Sequence, residues 1–224
     1  MLGGTLNQMI ATDLGTRPSG PGQNQDRLTP AATIARGAAP AVAWANATPG
    51  VSWPDGRVPL LTGPAIQDFF WPDVHTHVLH YVRASAQAGL PWVVTADEMG
   101  GANFGTLPDA DDPDHDDPRR FGLWGSLMAG GAGVEWYFGW QNNGPYSDLS
   151  CEDWRTRENM YRQTKIALDF FHEHLPFWRM APAHEAVVSH GVSALIAPGE
   201  LYAIYLPHGG GTRFDLGDHP VTCS

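Results

Sequence analysis

The sequence predicts an α/β fold in which a parallel sheet is followed by antiparallel strands. A helix pattern at residues 73–88 leads into an apolar run at residues 92–96. A second helix pattern at residues 119–128 leads into a second apolar run at residues 133–139. Helices that feed apolar strands are typical of parallel sheets. From residue 193 onward the apolar period changes to two, which predicts antiparallel strands.

Residues 1–56 differ in composition from the rest of the chain. Gly, Pro, Ala, Thr and Arg dominate, and neither helical nor strand periodicity is sustained. Such a segment buries too little apolar surface to offset the entropy of ordering it. We therefore expect residues 1–56 to be disordered or weakly ordered, or to be a wrongly delimited start of the gene. Order is expected to begin with a short strand at residues 58–63.

The first two predicted helices have recognisable ends. Gly89 follows the first helix at the position where a left-handed residue is favoured. The second helix begins after Pro118, with Asp116 and Asp117 near its positive end, and it stops at Gly130. The apolar character of residues 92–96 predicts a buried strand between the two helices.

The longest predicted helix covers residues 152–175 and precedes the antiparallel strands. Its expected buried stripe consists of Trp154, Tyr161, Leu168, Phe171 and Leu175. Beyond this helix, residues 193–197 and 200–206 flank a Pro-Gly turn and predict a hairpin. One more strand is expected at residues 212–216. Such a sheet would keep one open face.

Composition excludes several classes of function. The formal net charge is −11 with scattered basic residues, so no nucleic-acid partner is expected. No apolar run reaches the roughly 18–20 residues of a membrane span, and no signal peptide is visible. The two cysteines, Cys151 and Cys223, have no metal-type spacing. The nine tryptophans suit either sugar stacking or core packing.

Three segments of the sequence resemble those of a known family. The most specific is WGSLMAGGAGVEWYFG at residues 124–139, supported by residues 148–157 and 174–180. Together with residues 91–98 they resemble bacterial apiosidase-like glycoside hydrolases. The match covers about residues 60–216, and the first 56 residues do not take part.

The resemblance implies a partial (β/α)8 (TIM) barrel at residues 57–178, its last third, followed by the first strands of an antiparallel β-sandwich at residues 179–224. It implies hydrolysis of glycosidic bonds in a polysaccharide or oligosaccharide, and an extracellular or periplasmic parent protein. Family naming labels the sandwich as collagen-binding, but none of these residues indicates affinity for collagen.

Glu98 is the candidate catalytic residue. Glycoside hydrolysis generally uses two carboxyl groups, and barrels carry them at the C-terminal ends of strands. Glu98 follows the run at residues 92–96, and in related barrels this position supplies one catalytic carboxylate. Asp97 would point to the opposite face, as a substrate-binding or loop-anchoring acid. The partner carboxylate is expected on an earlier strand that this chain does not contain, so the chain alone is expected to lack glycosidase activity.

Four residues near the second apolar run are candidate substrate-binding groups. Strand alternation would place Glu135 and Tyr137 on one face and Trp136 on the other. A carboxylate inside an apolar strand is costly to bury unless it is paired, so Glu135 would face the substrate or an arginine. Trp136, Tyr137 and Trp140 are candidates for a sugar platform, although core packing competes for Trp136 or Tyr137.

No metal or other cofactor is expected. The acidic loop at residues 109–117 lacks the spacing of an EF-hand, so a solvated loop is favoured over a calcium site. The histidines at positions 75, 77 and 80 and at 172 and 174 do not follow the His-Glu-x-x-His zinc pattern. Two alternatives to the enzyme stay open: a non-catalytic carbohydrate- or matrix-binding module, and a truncated product that aggregates or needs a partner.

Overall fold

The structure is a computed structural model that describes residues 63–89, 91–141, 147, 153–187 and 191–214. Two three-stranded sheets organise this part of the chain, one parallel and one antiparallel. The expectations for residues 1–56, for most of the strand at 58–63 and for both cysteines lie outside the described residues. The α/β arrangement is present in this form, and closure of the parallel sheet into a barrel stays a proposal.

The parallel sheet consists of three short strands. These are β1 (Ala65–Ile66), β2 (Thr95–Ala96) and β3 (Gly133–Val134), in the order β1-β2-β3. Ala65 pairs with Thr95, and Thr95 pairs with Gly133. The predicted strands at residues 92–96 and 133–139 are thus longer than the observed ones, since regular pairing includes only two residues of each.

Helix α1 (Val74–Gln87) covers one face of this sheet, as the helical spacing predicted. Its buried side chains include Val74, Val78 and Leu79, which pack in one cluster with residues of the sheet. Gly89 has φ 77°, so the left-handed residue expected beyond the helix is confirmed.

The second strand is buried on one face only. Val94 and Ala96 are buried in the cluster with α1, whereas Val93 is 60% exposed. The expectation of a fully buried strand is therefore wrong at Val93. Successive side chains of a strand point to opposite faces, and Val94 and Ala96 are on the face that packs with α1.

The second predicted helix has two parts. A π-helical turn at Pro118–Leu123 leads directly into α2 (Trp124–Met128). Asp116 precedes the turn and forms ion pairs with Arg119 and Arg120. The helical conformation already begins at Asp116, so the predicted start after Pro118 is about two residues late, and the π turn is a feature that side-chain periodicity did not predict.

Helix α3 (Glu158–His174) follows a 3-10 turn at Trp154–Arg157. Only two of the five residues of the expected buried stripe are buried. Phe171 and Leu175 are buried, but Trp154, Tyr161 and Leu168 are exposed by 58%, 37% and 42%. The buried face of the helix is instead carried by Met160, Ala167 and Phe171. Each residue step rotates a helix by about 100°, so Tyr161 and Leu168 point away from the core.

The antiparallel sheet consists of β4 (Ala181–Pro182), β5 (Ser193–Ala197) and β6 (Leu201–Tyr205). β5 and β6 pair along their whole length, from Ser193 opposite Tyr205 to Ala197 opposite Leu201. This pairing confirms the predicted hairpin. One more strand was expected at residues 212–216. Within it, Phe214 forms an isolated β-bridge with Val187, and residues 215–216 lie outside the described residues.

Two hydrophobic clusters form the core of the described residues, and Trp136 packs against both. One cluster contains α1 and the parallel sheet, and the other contains α2, α3 and Leu195 of β5. Trp136 packs against both clusters, and its Nε1 donates a hydrogen bond to Oγ1 of Thr164 at 3.0 Å. The parallel sheet is thereby connected to α3.

Candidate functional site

The C-terminal edge of the parallel sheet contains a cleft of about 180 Å³. The chain leaves β1 at Gln67 and Asp68, and it leaves β2 at Asp97 and Glu98. Because parallel strands end at the same edge, Gln67 and Glu98 meet there although they are 31 residues apart in the sequence. The cleft is lined by Gln67, Asp68, Phe69, Glu98, Gly100, Ala102 and Tyr137.

Glu98 lies in this cleft with an unusual backbone conformation. Its φ is 51°, in the left-handed region that residues other than glycine rarely adopt. The side-chain amide of Gln67 donates a hydrogen bond to its carboxylate. Non-glycine residues in this region cost about 1–3 kcal/mol and cluster at functional sites. The conformation turns the chain out of β2 and leaves the carboxylate at the cleft.

Asp68 is a second carboxyl group of the cleft, and sequence reasoning did not select it. Its side chain is 3% exposed, and its Oδ2 lies 2.6 Å from Nδ1 of His77. Burial raises the pKa of Asp68, although the contact with His77 opposes this rise. The signal that could have identified it is the one that identified Glu98, namely a carboxylate directly after a strand.

Asp97 has a raised pKa. Its Oδ2 accepts a hydrogen bond from the Thr95 hydroxyl at 3.1 Å, and its backbone N–H donates to the Ile66 carbonyl. Burial raises the pKa of Asp97 to about 6, with further contributions from the charges of Glu135 and Glu98. Asp97 therefore holds a proton to higher pH than an ordinary aspartate, and it does so next to Glu98 in the sequence.

Glu135 and Tyr137, two of the candidate substrate-binding residues, occupy different environments. Glu135 is exposed, beyond the end of β3, and its charge acts on Asp97. Tyr137 lines the cleft, and its hydroxyl donates a hydrogen bond to the Ala102 carbonyl at 2.7 Å. Trp136 is held in the core by both clusters, which favours the packing role over the sugar platform.

Exposed aromatic side chains lie on the loops around the cleft. Phe69, which lines the cleft, is 68% exposed, and Phe104 and Trp140 are 50% and 53% exposed. The loops that carry Phe104 and Trp140 are joined by a backbone hydrogen bond from Gln141 to Asn103 of 2.8 Å. Of these three residues only Trp140 was a sequence candidate, and its role in substrate binding stays a prediction.

The acidic loop is folded around a buried histidine. His115 is 1% exposed, and its Nε2 lies 2.6 Å from Oδ1 of Asp109. The backbone N–H of His115 donates to Oδ1 of Asp112 at 3.1 Å, while Asp111 and Asp114 are exposed. In the described part of the chain, no group of three or more His, Cys, Asp or Glu side chains is arranged to hold a metal ion.

The histidines of α1 point to different partners. His77 contacts Asp68 at the cleft, as described above. His75 stacks on His184 with ring centroids 4.6 Å apart. Burial lowers the pKa of His75 to about 4, and burial also lowers the pKa of His184. Sequence reasoning did not connect His75 with His184, because they lie 109 residues apart.

Comparison of the chain with protein-family models, with curated proteins and with solved structures found no match. Among the described helices, none has both the length and the apolar character needed to cross a membrane.

Proposed function

We propose that this protein binds carbohydrate in the cleft at the C-terminal edge of its parallel sheet and acts there as a glycoside hydrolase. The observation that carries the proposal is the presence of two carboxyl groups, Asp68 and Glu98, in one cleft with exposed Phe69. Glycoside hydrolysis needs a pair of carboxyl groups, and an aromatic face suits stacking on a sugar ring. The resemblance to apiosidase-like hydrolases favours the same chemistry.

The two carboxyl groups differ in environment, as an acid and its partner must. Burial raises the pKa of Asp68, so this group holds a proton longer than an exposed aspartate does. Glu98 lies in a more open position, with an amide hydrogen bond from Gln67. We assign proton donation to Asp68 and the role of nucleophile or base to Glu98. We assign the role of a supporting acid to Asp97, which has a raised pKa and precedes Glu98 in the sequence.

A non-catalytic carbohydrate-binding module is the second candidate. The observation that favours it is the set of exposed aromatic rings on the loops around the cleft, since rings bind sugars without an acid pair. In this case Phe69 and Tyr137 would supply most of the affinity, and the loss of the Glu98 charge would matter little.

Two assays on the full chain separate these functions. Release of reducing sugar from a panel of plant and microbial polysaccharides measures hydrolysis, and affinity electrophoresis in the same polysaccharides measures binding. Hydrolysis that Glu98→Gln and Asp68→Asn abolish, and that Glu200→Gln retains, supports the enzyme. Glu200 is a suitable control because it is exposed and pairs with Arg179, in the part of the chain that contains the antiparallel sheet.

Binding without hydrolysis, lost in Phe69→Ala but retained in Glu98→Gln, supports the module instead. This outcome would agree with the expectation that the chain alone lacks glycosidase activity. Hydrolysis by the chain would contradict that expectation and would assign the second acid to Asp68. Absence of both binding and hydrolysis on the whole panel would overturn both functions.

A further inference from the structure

A second cavity, of about 210 Å³, lies between α1, the π-helical turn before α2 and the antiparallel sheet. It shares no lining residue with the carbohydrate cleft. The described residues that line it include no aspartate or glutamate. Side chains with hydrogen-bond donors line it instead, and they are His75, Thr76, Arg120, His184, Ser193 and Tyr205. A lining of donors without carboxylates favours a ligand that carries acceptor oxygens.

Arg120 brings a positive charge to this cavity. Arg119 and Arg120 both pair with the carboxylate of Asp116, Arg120 at a distance of 2.9 Å. One carboxylate thus faces two guanidinium groups, and together the three side chains keep one positive charge. Arg120 lines this cavity, whereas Asp116 and Asp117 line a different one. A guanidinium has several N–H donors, so the ion pair with Asp116 leaves others for a ligand.

The hydroxyl of Ser193 has a hydrogen to donate. Nδ1 of His75 lies 2.9 Å from the Gly125 carbonyl oxygen, which only accepts hydrogen bonds, so this nitrogen carries a hydrogen. Oγ of Ser193 lies 3.3 Å from the same nitrogen. Oγ cannot donate to Nδ1, because a protonated ring nitrogen has no lone pair to accept with. The hydroxyl hydrogen of Ser193, which is 6% exposed, is therefore left for an acceptor in the cavity.

Tyr205 adds a second hydroxyl in the field of the arginines. Its ring stacks on Trp124, with centroids 5.2 Å apart and an interplanar angle of 12°. Burial raises the pKa of Tyr205, and the charges of Arg119 and Arg120 oppose this rise. A phenol keeps its proton at neutral pH, so the hydroxyl can donate to an anion next to Arg120.

His184 makes the cavity sensitive to pH. Its ring stacks on that of His75, whose pKa is lowered by burial to about 4 and which therefore stays neutral. Burial lowers the pKa of His184, the charge of Arg83 lowers it further, and the charge of Glu185 opposes both effects. Arg83 and Glu185 pair at 2.7 Å. An anion in the cavity favours the protonated ring of His184, so anion binding takes up a proton there.

We propose that this cavity binds one small oxyanion, which is either inorganic phosphate or sulfate or the carboxylate group of a small organic acid. Arg120 supplies the charge, and Ser193 and Tyr205 supply hydrogen bonds. The cavity is smaller than the roughly 300–1,000 Å³ of pockets that hold drug-sized ligands, so the ligand is an ion or a small metabolite rather than a polymer. The bound anion connects the π-helical turn with the antiparallel sheet. The site does not depend on the proposed carbohydrate function.

Isothermal titration of the full chain with sodium phosphate, and separately with sodium glucuronate, tests the site in a chloride buffer at pH 6. We expect one anion per chain. Arg120→Gln is expected to weaken binding by about tenfold or more, because a charge-assisted hydrogen bond is lost. Arg162→Gln is the matched control, since it removes the same charge from an exposed position of α3. Binding of phosphate supports an inorganic ligand, and binding of glucuronate alone supports an organic acid.

Binding of neither anion would overturn the proposal. Binding that survives Arg120→Gln would place the anion elsewhere, and an equal loss in Arg162→Gln would assign the effect to net charge, so both results also overturn it. Heteronuclear NMR of the unaltered, isotope-labelled chain gives an answer even where a variant fails to fold. The anion is expected to shift the ring signals of His184 and to leave those of the exposed His80 unchanged. Unchanged signals of His184 contradict the site.

Discussion

The guanidinium carbon of Arg157 lies 4.0 Å from the centre of the Phe138 ring, and the Arg157 side chain is fully buried. Its Nε donates to the Thr106 carbonyl at 2.8 Å. One side chain from the 3-10 turn before α3 thus connects residue 106 with residue 138, in the two loops that flank the cleft. The planar guanidinium stacks on the ring and donates a hydrogen bond within its own plane. A lysine ammonium, which is not planar, cannot make both contacts.

Arg157→Lys is therefore expected to lower the free energy of unfolding by about 1–3 kcal/mol, since a buried charge-assisted hydrogen bond and the stacking contact are lost. Urea unfolding followed by tryptophan fluorescence measures the change. Arg162→Lys, on the exposed face of α3, is the control and should be close to neutral. Equal stability of the two variants would show that Arg157 is not a structural anchor.

Because φ of Glu98 is positive, we expect glycine to be more stable than alanine at this position, which is the reverse of the usual order in a helix. Glu98→Gly and Glu98→Ala both lose the hydrogen bond from Gln67, but glycine adopts φ 51° without strain. We expect the glycine variant to be more stable by about 1 kcal/mol, measured by thermal unfolding. Ala84→Gly in α1 shows the ordinary order, in which glycine costs about 1 kcal/mol. The same order at both positions would contradict the strain.

Gly139 lies against the loop that carries Phe104. A Cβ at this position would lie 2.5 Å from the Asn103 carbonyl oxygen, and φ is 71°. Gly139→Ala is expected to destabilise the protein by about 2 kcal/mol or more, because backbone atoms cannot move aside as a side chain can. It should also weaken saccharide binding, as Trp140 follows directly. Both effects are measured on the same preparation, by thermal unfolding and affinity electrophoresis.

Gly133→Ala is the control for Gly139→Ala. A Cβ at Gly133 meets no atom within 4 Å, so its effect should lie within about 0.5 kcal/mol. Similar losses at both positions would show that the close approach of the two loops is not the cause.

The raised pKa of Asp97 predicts a pH-dependent loss of stability. The folded state holds the proton up to about pH 6, whereas the unfolded state releases it near pH 3.8. Between these values the folded state binds more protons, so stability falls as pH rises. Asp97→Asn keeps an acceptor for the Thr95 hydroxyl and should be more stable than the unaltered chain above pH 6. The gain is about 1–2 kcal/mol, reduced from the full shift because Asp97 is partly exposed.

Urea unfolding at pH 4 and pH 7 measures this difference. At pH 4 the two proteins should be nearly equal, since Asp97 is protonated in the folded state. Asp114→Asn, which removes an equal charge from an exposed position, is the control. A gain at pH 7 of the same size in both variants would assign the effect to net charge rather than to burial of Asp97.

Sequence reasoning located most elements but not their lengths or orientations. The helix ending before Gly89 and the hairpin around Pro198 were predictable because spacing and turn residues are local signals. The buried face of α3 was not, because Met160 and Tyr161 are both apolar and the packing partners decide between them. Exposure of Val93 likewise depends on which face of the sheet a helix covers.

The candidate site was predictable in part for the same reason. Glu98 was selected because it follows an apolar run, and Asp68 was missed because the strand before it contains only two paired residues. The hydrogen bond between Gln67 and Glu98 spans 31 residues, and no local pattern indicates it. Burial is the main cause of the raised pKa of Asp97, and the charge of Glu135, which follows β3, adds to it.

By itself the sequence determined where helices and turns form, that carboxylates follow an apolar strand, and that the chain is acidic. The first two of these properties depend on residues close together in the chain, and the third depends on composition alone. Only the tertiary structure decided that Asp68 and Glu98 share a cleft and that His75 meets His184. Parallel strand pairing and helix packing bring together residues that are far apart in the sequence. Hydrophobic burial drives this packing and is not directional, so the sequence pattern does not show which residues will meet.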